Sequence, residues 1–176
     1  MRGIALTLLN AAALSLAFVP VAGCRAEPAP ATVEAPLELT GRVVDRANMI
    51  PADREAALVR QLAALERDTE AQLVVVTTPS LGNRTIEEYS LALGRGWGIG
   101  HKDRDDGVLL VVAPNERKVR IEVGYGLEEV LPDDWCFMLL RQEVLPRYSD
   151  GKMVEGTMKG ARAIDARLRE QLEGAA

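Results

Sequence analysis

The sequence predicts an α/β protein, a three-layer α/β/α sandwich with a mixed, roughly four-stranded sheet. Three features carry that prediction. Short runs rich in Val, Leu and Ile alternate with longer stretches whose apolar residues recur every three or four positions, as strands separated by helices do. Val108-Leu109-Leu110-Val111-Val112 shows no polar alternation and reads as a strand covered on both faces, which requires helices on both sides of the sheet. Lys118 to Val123 alternates instead, with Val119, Ile121 and Val123 set between Lys118, Arg120 and Glu122, the pattern of an antiparallel edge strand with one wetter face.

The chain of 176 residues opens with Met1-Arg2, a nearly continuous apolar run from Ile4 to Val19, and small residues up to Cys24. A run this short is expected to be a secretory signal, since a bilayer-spanning helix needs about 20 apolar residues with suitable flanks. Val21-Ala22-Gly23-Cys24 resembles the bacterial lipobox, so residues 1–23 are expected to be a lipoprotein signal peptide and Cys24 the lipid attachment site. Residues 24–38 follow as a Pro/Ala-rich tether containing Pro28, Pro30 and Pro36, and the domain is expected over 39–176. The implied location is extracytoplasmic and lipid-anchored to a bacterial membrane, facing the periplasm.

Within the domain, Arg42 to Asp45 forms a short strand. Pro51 suits a first helical position, and Leu58, Leu62 and Leu65 follow at helical spacing. Leu73 to Thr77 is the next buried strand. Thr85 and Glu88 have capping-box spacing ahead of Ile86, Tyr89, Leu93 and Trp97, which share one helical face; Gly94, Gly96, Gly98 and Gly100 then end that helix. Pro114 to Arg117 turns the central strand into the edge strand. Two further helices are expected from about Asp134 to Leu145 and from about Lys152 to Leu172, the last with a small face at Gly156, Gly160 and Ala161.

Composition excludes some functions. Removing residues 1–23 takes away Arg2 and leaves 20 basic residues against 26 acidic ones, a formal charge of −6, which excludes nucleic acid as a natural partner. With Cys24 lipidated, Cys136 has no disulfide partner; among Trp135, Phe137, Met138 and Leu139 it reads as a small buried hydrophobe. His101 has no nearby Ser or Cys pattern, so no activated nucleophile is evident.

The hairpin brings carboxylates together. The start of one antiparallel strand lies beside the end of the other, so Asp105 and Asp106 must approach Gly124 to Glu128, and Leu131-Pro132-Asp133-Asp134 follows closely. Two readings stand. In one, Asp105, Asp106, Glu128 and Asp133 gather as an oxygen-only site for a hard cation, Ca²⁺ more than Mg²⁺; without the ion their mutual repulsion makes removal of the Asp106 charge neutral or stabilising. In the other, Asp105 and Asp106 form a solvated turn, Glu128 faces water and Asp133 caps the next helix.

Residues 97–134, "WGIGHKDRDDGVLLVVAPNERKVRIEVGYGLEEVLPDD", closely resemble the signature of the TPM domain family, named for a plant thylakoid-lumen protein, a photosystem II subunit and a nematode receptor accessory protein. The likeness rests on Trp97-Gly98-Ile99-Gly100, Asp105-Asp106-Gly107, Arg117 to Glu128 and Leu131-Pro132-Asp133, and extends more weakly from Val44-Asp45 to Gly156. It implies an α/β sandwich outside the cytoplasm whose acidic loop residues bind Ca²⁺ in some members. It also implies varied roles: acid phosphatase activity is attributed to the plant member, photosystem repair and receptor assembly to others. Many bacterial members carry a transmembrane helix and glycine-rich tail after the domain, in place of which an N-terminal lipid is expected here. Trp135, Cys136 and Phe137 are bulkier than the small residues the family pattern leads one to expect. The expected function is therefore a membrane-tethered Ca²⁺-binding module acting on envelope or membrane proteins, with a divalent-metal-dependent acid phosphatase as the alternative.

Overall fold

A computed structural model describes residues 35–172. The expected signal segment, Cys24 and residues 25–34 of the tether lie outside them. The order of elements is β1 (Val43–Asp45), α1 (Ala52–Thr69), β2 (Gln72–Thr77), α2 (Ile86–Trp97), β3 (Gly107–Ala113), β4 (Lys118–Val123), α3 (Asp133–Leu139), α4 (Leu145–Ser149) and α5 (Met153–Leu172). A 3₁₀ turn at Tyr125–Leu127 follows β4, and a π-type turn at Leu140–Val144 joins α3 to α4. No described helix is long and apolar enough to cross a membrane.

The four strands lie in the order β1-β2-β3-β4, parallel across the first two pairs and antiparallel in the last. The sheet is mixed, as expected, and β4 is its edge. Alternate side chains sort to opposite layers. Leu73, Val75, Val108 and Leu110 pack with Leu58, Leu62 and Leu65 of α1 and with Ile164 and Leu168 of α5. Val74, Val76, Leu109 and Val111 pack instead with Ile86, Tyr89 and Leu93 of α2. Full burial of each Leu contributes about 1.5–3 kcal/mol, so these two layers hold β3 in place from both faces.

Local chemistry accounts for most of the boundaries. Thr85 Oγ1 accepts from the Glu88 N–H at 3.2 Å while Glu88 Oε2 accepts from the Thr85 N–H at 2.9 Å, the reciprocal capping box read from the sequence. Gly94 and Gly96 remain inside α2, and the helix stops only at Gly98, whose N–H donates to the Gly94 carbonyl in a left-handed cap. Pro51 sits at the N-cap of α1, one residue earlier than expected. The helix expected over 134–145 divides because Pro146, which has no N–H to donate, falls just beyond the π-type turn. In α5, Gly156 lies against the Tyr148 ring and Gly160 against Val144, so the small face admits the α3–α4 segment. The packed body also begins before Leu39: Ala35 and Leu37 join the α2 layer, and the Leu37 carbonyl accepts from Trp97 Nε1 at 2.7 Å.

Candidate functional site

The end of the sheet where β3 begins and β4 finishes is shaped by backbone approach. The Gly124 N–H donates to the Gly107 carbonyl at 2.8 Å, and the Gly126 N–H to the Asp105 carbonyl at 3.2 Å. A β-carbon on Gly124 would fall inside contact distance of the Asp105 carbonyl, and one on Gly126 inside that of Arg104. Two glycines thus let the loop after β4 lie directly on the loop before β3. Asp105 itself adopts the left-handed conformation, φ 48°, which Asp tolerates better than most residues.

That arrangement opens a cavity of about 570 Å³ between the C-terminal half of α2, the β4 end of the sheet and the two loops. Asp105, Glu128 and Asp133 line it, together with Arg95, Lys102 and Arg120. Three of the four expected carboxylates therefore line one cavity. The helix-cap reading of Asp133 does not hold, because Pro132 occupies the N-cap and Asp133 is the first helical residue with no side-chain cap bond.

Asp106 is placed differently. It is buried, 7% exposed, and its carboxylate is engaged on both oxygens. Oδ1 accepts from the His101 N–H at 2.6 Å, and Oδ2 accepts from Arg104 Nε at 2.7 Å. Arg104 continues to Glu70 on the exposed side. The His101 Nδ1 atom lies 3.1 Å from both Asp106 oxygens and 2.8 Å from Arg104 Nη2, so a neutral ring accepts from Arg104 and a protonated one donates to Asp106. Burial pushes the Asp106 carboxyl up, but the hydrogen bonds from the His101 backbone and ring and from Arg104 win and hold it below the usual carboxylate range. Asp106 is thus a staple of the 101–106 loop among cations. The expectation that losing its charge relieves repulsion is corrected on this ground.

Cys136 is buried and unpaired, donates weakly to the Leu131 carbonyl at 3.6 Å, and has its thiol pushed up to about 11 by burial and by Asp133. A thiol so disposed is no nucleophile. His101, for which the sequence offers no nucleophile to activate, has a structural part: it lines the cavity and braces Asp106. Arg95 and Arg120 were also missed. Alternation along β4 puts Arg120 and Glu122 on the α2 side, where Arg120 Nε donates to Glu122 Oε2 at 2.7 Å and Ser90 Oγ donates to the same oxygen at 2.8 Å; that alternation was the available signal.

A family model described as TPM domain, and named TPM_phosphatase, matches residues 43–167. The chain belongs to the TPM domain family. Among solved structures, the N-terminal domain of a protein from P. gingivalis shares 34% identity over 76% of this chain and 85% of its own, with a TM-score of 0.71. The BA42 protein of the psychrophilic bacterium Bizionia argentinensis is 18% identical over 70% of this TPM domain chain and 83% of its own, TM-score 0.60. The N-terminal domain of cg2496 from Corynebacterium glutamicum is 15% identical over 76% and 83%, TM-score 0.58. These last two speak to the fold alone. No curated protein matches the chain.

Exposed carboxylates with no thiolate among them have the chemistry a hard ion takes. Their oxygens stand apart, however: among the described residues no three His, Cys, Asp or Glu side chains come together closely enough to enclose a metal ion.

Proposed function

We propose that this TPM domain is a divalent-cation-binding module, held at an extracytoplasmic membrane surface through Cys24, that acts on envelope or membrane proteins. The observation that carries the cation reading is the cavity that Asp105, Glu128 and Asp133 all line. An ion bound there would supply positive charge against three exposed carboxylates. Ca²⁺ is favoured over Mg²⁺ because it accepts six to eight oxygens in irregular geometry, whereas Mg²⁺ demands a near-ideal octahedron. The chain's part is to present the carboxylates: Asp106, Arg104 and His101 hold the loop that carries Asp105, and Gly126 pins the Asp105 carbonyl.

Melting curves in Ca²⁺ and in chelator test this reading. Binding to the folded state alone adds about 2.7 kcal/mol when free ion exceeds the dissociation constant a hundredfold, so the melting temperature rises with Ca²⁺. The rise shrinks in Asp105→Asn and in Asp133→Asn. An identical melting temperature in millimolar Ca²⁺ and in chelator removes the cation from the proposal. The tether is tested separately: Cys24→Ser is expected to move the protein from the detergent phase to the aqueous phase, or to leave an unprocessed precursor, and unchanged partitioning contradicts the lipid anchor.

One observation favours the phosphatase reading as a second. Arg95, Lys102 and Arg120 line the same cavity as the carboxylates, an arrangement that suits a phosphoryl group held beside an ion. No activated nucleophile accompanies them. Hydrolysis of a chromogenic phosphate is therefore expected to be slow and to require a divalent ion; rapid turnover in chelator by Asp105→Asn would place the chemistry elsewhere.

A further inference from the structure

We propose that the open edge of β4 is a docking groove for an extended, acidic peptide segment of a partner protein, which adds to the sheet as a fifth strand. Strand polarity establishes which groups are free. The Gly124 N–H bonds to the Gly107 carbonyl, so the directly opposed pairs Leu109–Glu122, Val111–Arg120 and Ala113–Lys118 carry the ladder to β3. The N–H and C=O groups of Val119, Ile121 and Val123 therefore point away from β3, and none of them has a hydrogen-bond partner among the described residues. No proline or bulge interrupts the strand, although Lys118, Arg120 and Glu122 put charges along it.

The edge is the floor of a groove. Toward the Lys118 end a second cavity of about 570 Å³ runs from Ile86 of α2, across Lys118 and Val119, to Phe137 and Arg141 on the opposite side. Phe137 is 58% exposed there, one of the largest exposed apolar side chains among the described residues. Ile86 and Glu87 of α2 flank the strand on one side, and Phe137, Leu140 and Arg141 flank it on the other. The rim determines the charge of the occupant. Arg117, Lys118 and Arg141 stand against Glu87 alone, and the Arg141 guanidinium lies over the Phe137 ring at 5.9 Å. An acidic side chain on the peptide meets these cations, its apolar neighbours meet Phe137 and Ile86, and its backbone pairs with the outward groups of Val119 and Ile121.

The groove at Lys118 and Val119 adjoins the carboxylate cavity, which Ile121 and Val123 also line, so the acidic residues of the peptide are assigned to the Lys118 end and the test is run both in chelator and in Ca²⁺. The probe is a capped peptide alternating valine with glutamate, added to the full chain, with a valine–lysine peptide as control. Amide hydrogen exchange is expected to slow at Val119, Ile121 and Val123 but not at Arg120 and Glu122, which already bond to β3. Lys118→Glu with Arg141→Glu should weaken binding at least about tenfold by reversing the rim charge. Val119→Pro should do the same by removing one outward donor that the β3 ladder does not use; if it fails to fold, the charge-reversal pair carries the test. Equal binding of the lysine peptide, or unchanged exchange at the three outward amides, overturns the proposal. Slowed exchange that depends on protein concentration without peptide also overturns it, assigning the edge to a second copy.

Discussion

Gly124→Ala is expected to lower the stability of the domain by about 3 kcal/mol, a fall in melting temperature of roughly 10 °C. The new β-carbon would drive into the Asp105 carbonyl oxygen, and the obstacle is backbone on both sides, with no flexible side chain to move aside. The strand end or the 101–106 loop must then shift, and either movement breaks the Gly124-to-Gly107 hydrogen bond. The same contact holds Asp105 on the cavity that Glu128 and Asp133 also line, so the change is expected to disturb the proposed cation site as well. Thermal denaturation gives the size; a loss below 1 kcal/mol would mean that the two loops are not held together as described.

Asp106→Ala is expected to cost about 2 kcal/mol near neutral pH, because the His101 N–H loses its acceptor and Arg104 loses its buried partner. Asp106→Asn should fall between the variant and the native chain. The pH dependence has a definite sign. The folded-state carboxyl is held below its ordinary value, so the unfolded chain binds more protons over the acid range. The stabilising contribution is therefore full above the unfolded value, near pH 4, and disappears as the pH falls through the lower folded value. Urea denaturation from neutral pH into that range should show native and Asp106→Ala proteins converging. Parallel curves would mean that the carboxylate is not specifically held.

Much of the fold was legible because its signals are local. Unbroken apolar runs at Leu73 and Val108, alternation at Lys118 to Val123 and the Thr85–Glu88 box each state their own element, and the parallel-then-antiparallel sheet follows from which runs a helix separates. The break at Leu140–Val144 was harder to read, since the apolar spacing continues across it and only Pro146 marks the change. Within the site, chain geometry located the acidic end but could not separate Asp105 from Asp106. Neighbours on a strand entry point to opposite sides, and only tertiary contacts decide which faces the cavity and which meets His101 and Arg104. Arg95 escaped notice for a related reason: its helix position says that it is exposed, not that it overlooks the end of another strand.

Asp105, Glu128 and Asp133, which line one cavity, are proposed to bind a cation together. An amide-resolved NMR titration of the TPM domain with Ca²⁺ tests that binding most directly. Saturable shifts are expected at Asp105, Glu128 and Asp133 and at the glycines between them, reversed by chelator and weakened in Asp133→Asn. Resonances of Asp45 and Ser80, at the opposite end of the parallel strands, should not move. A spectrum unchanged at millimolar Ca²⁺, or saturable shifts confined to that opposite end, would contradict the account.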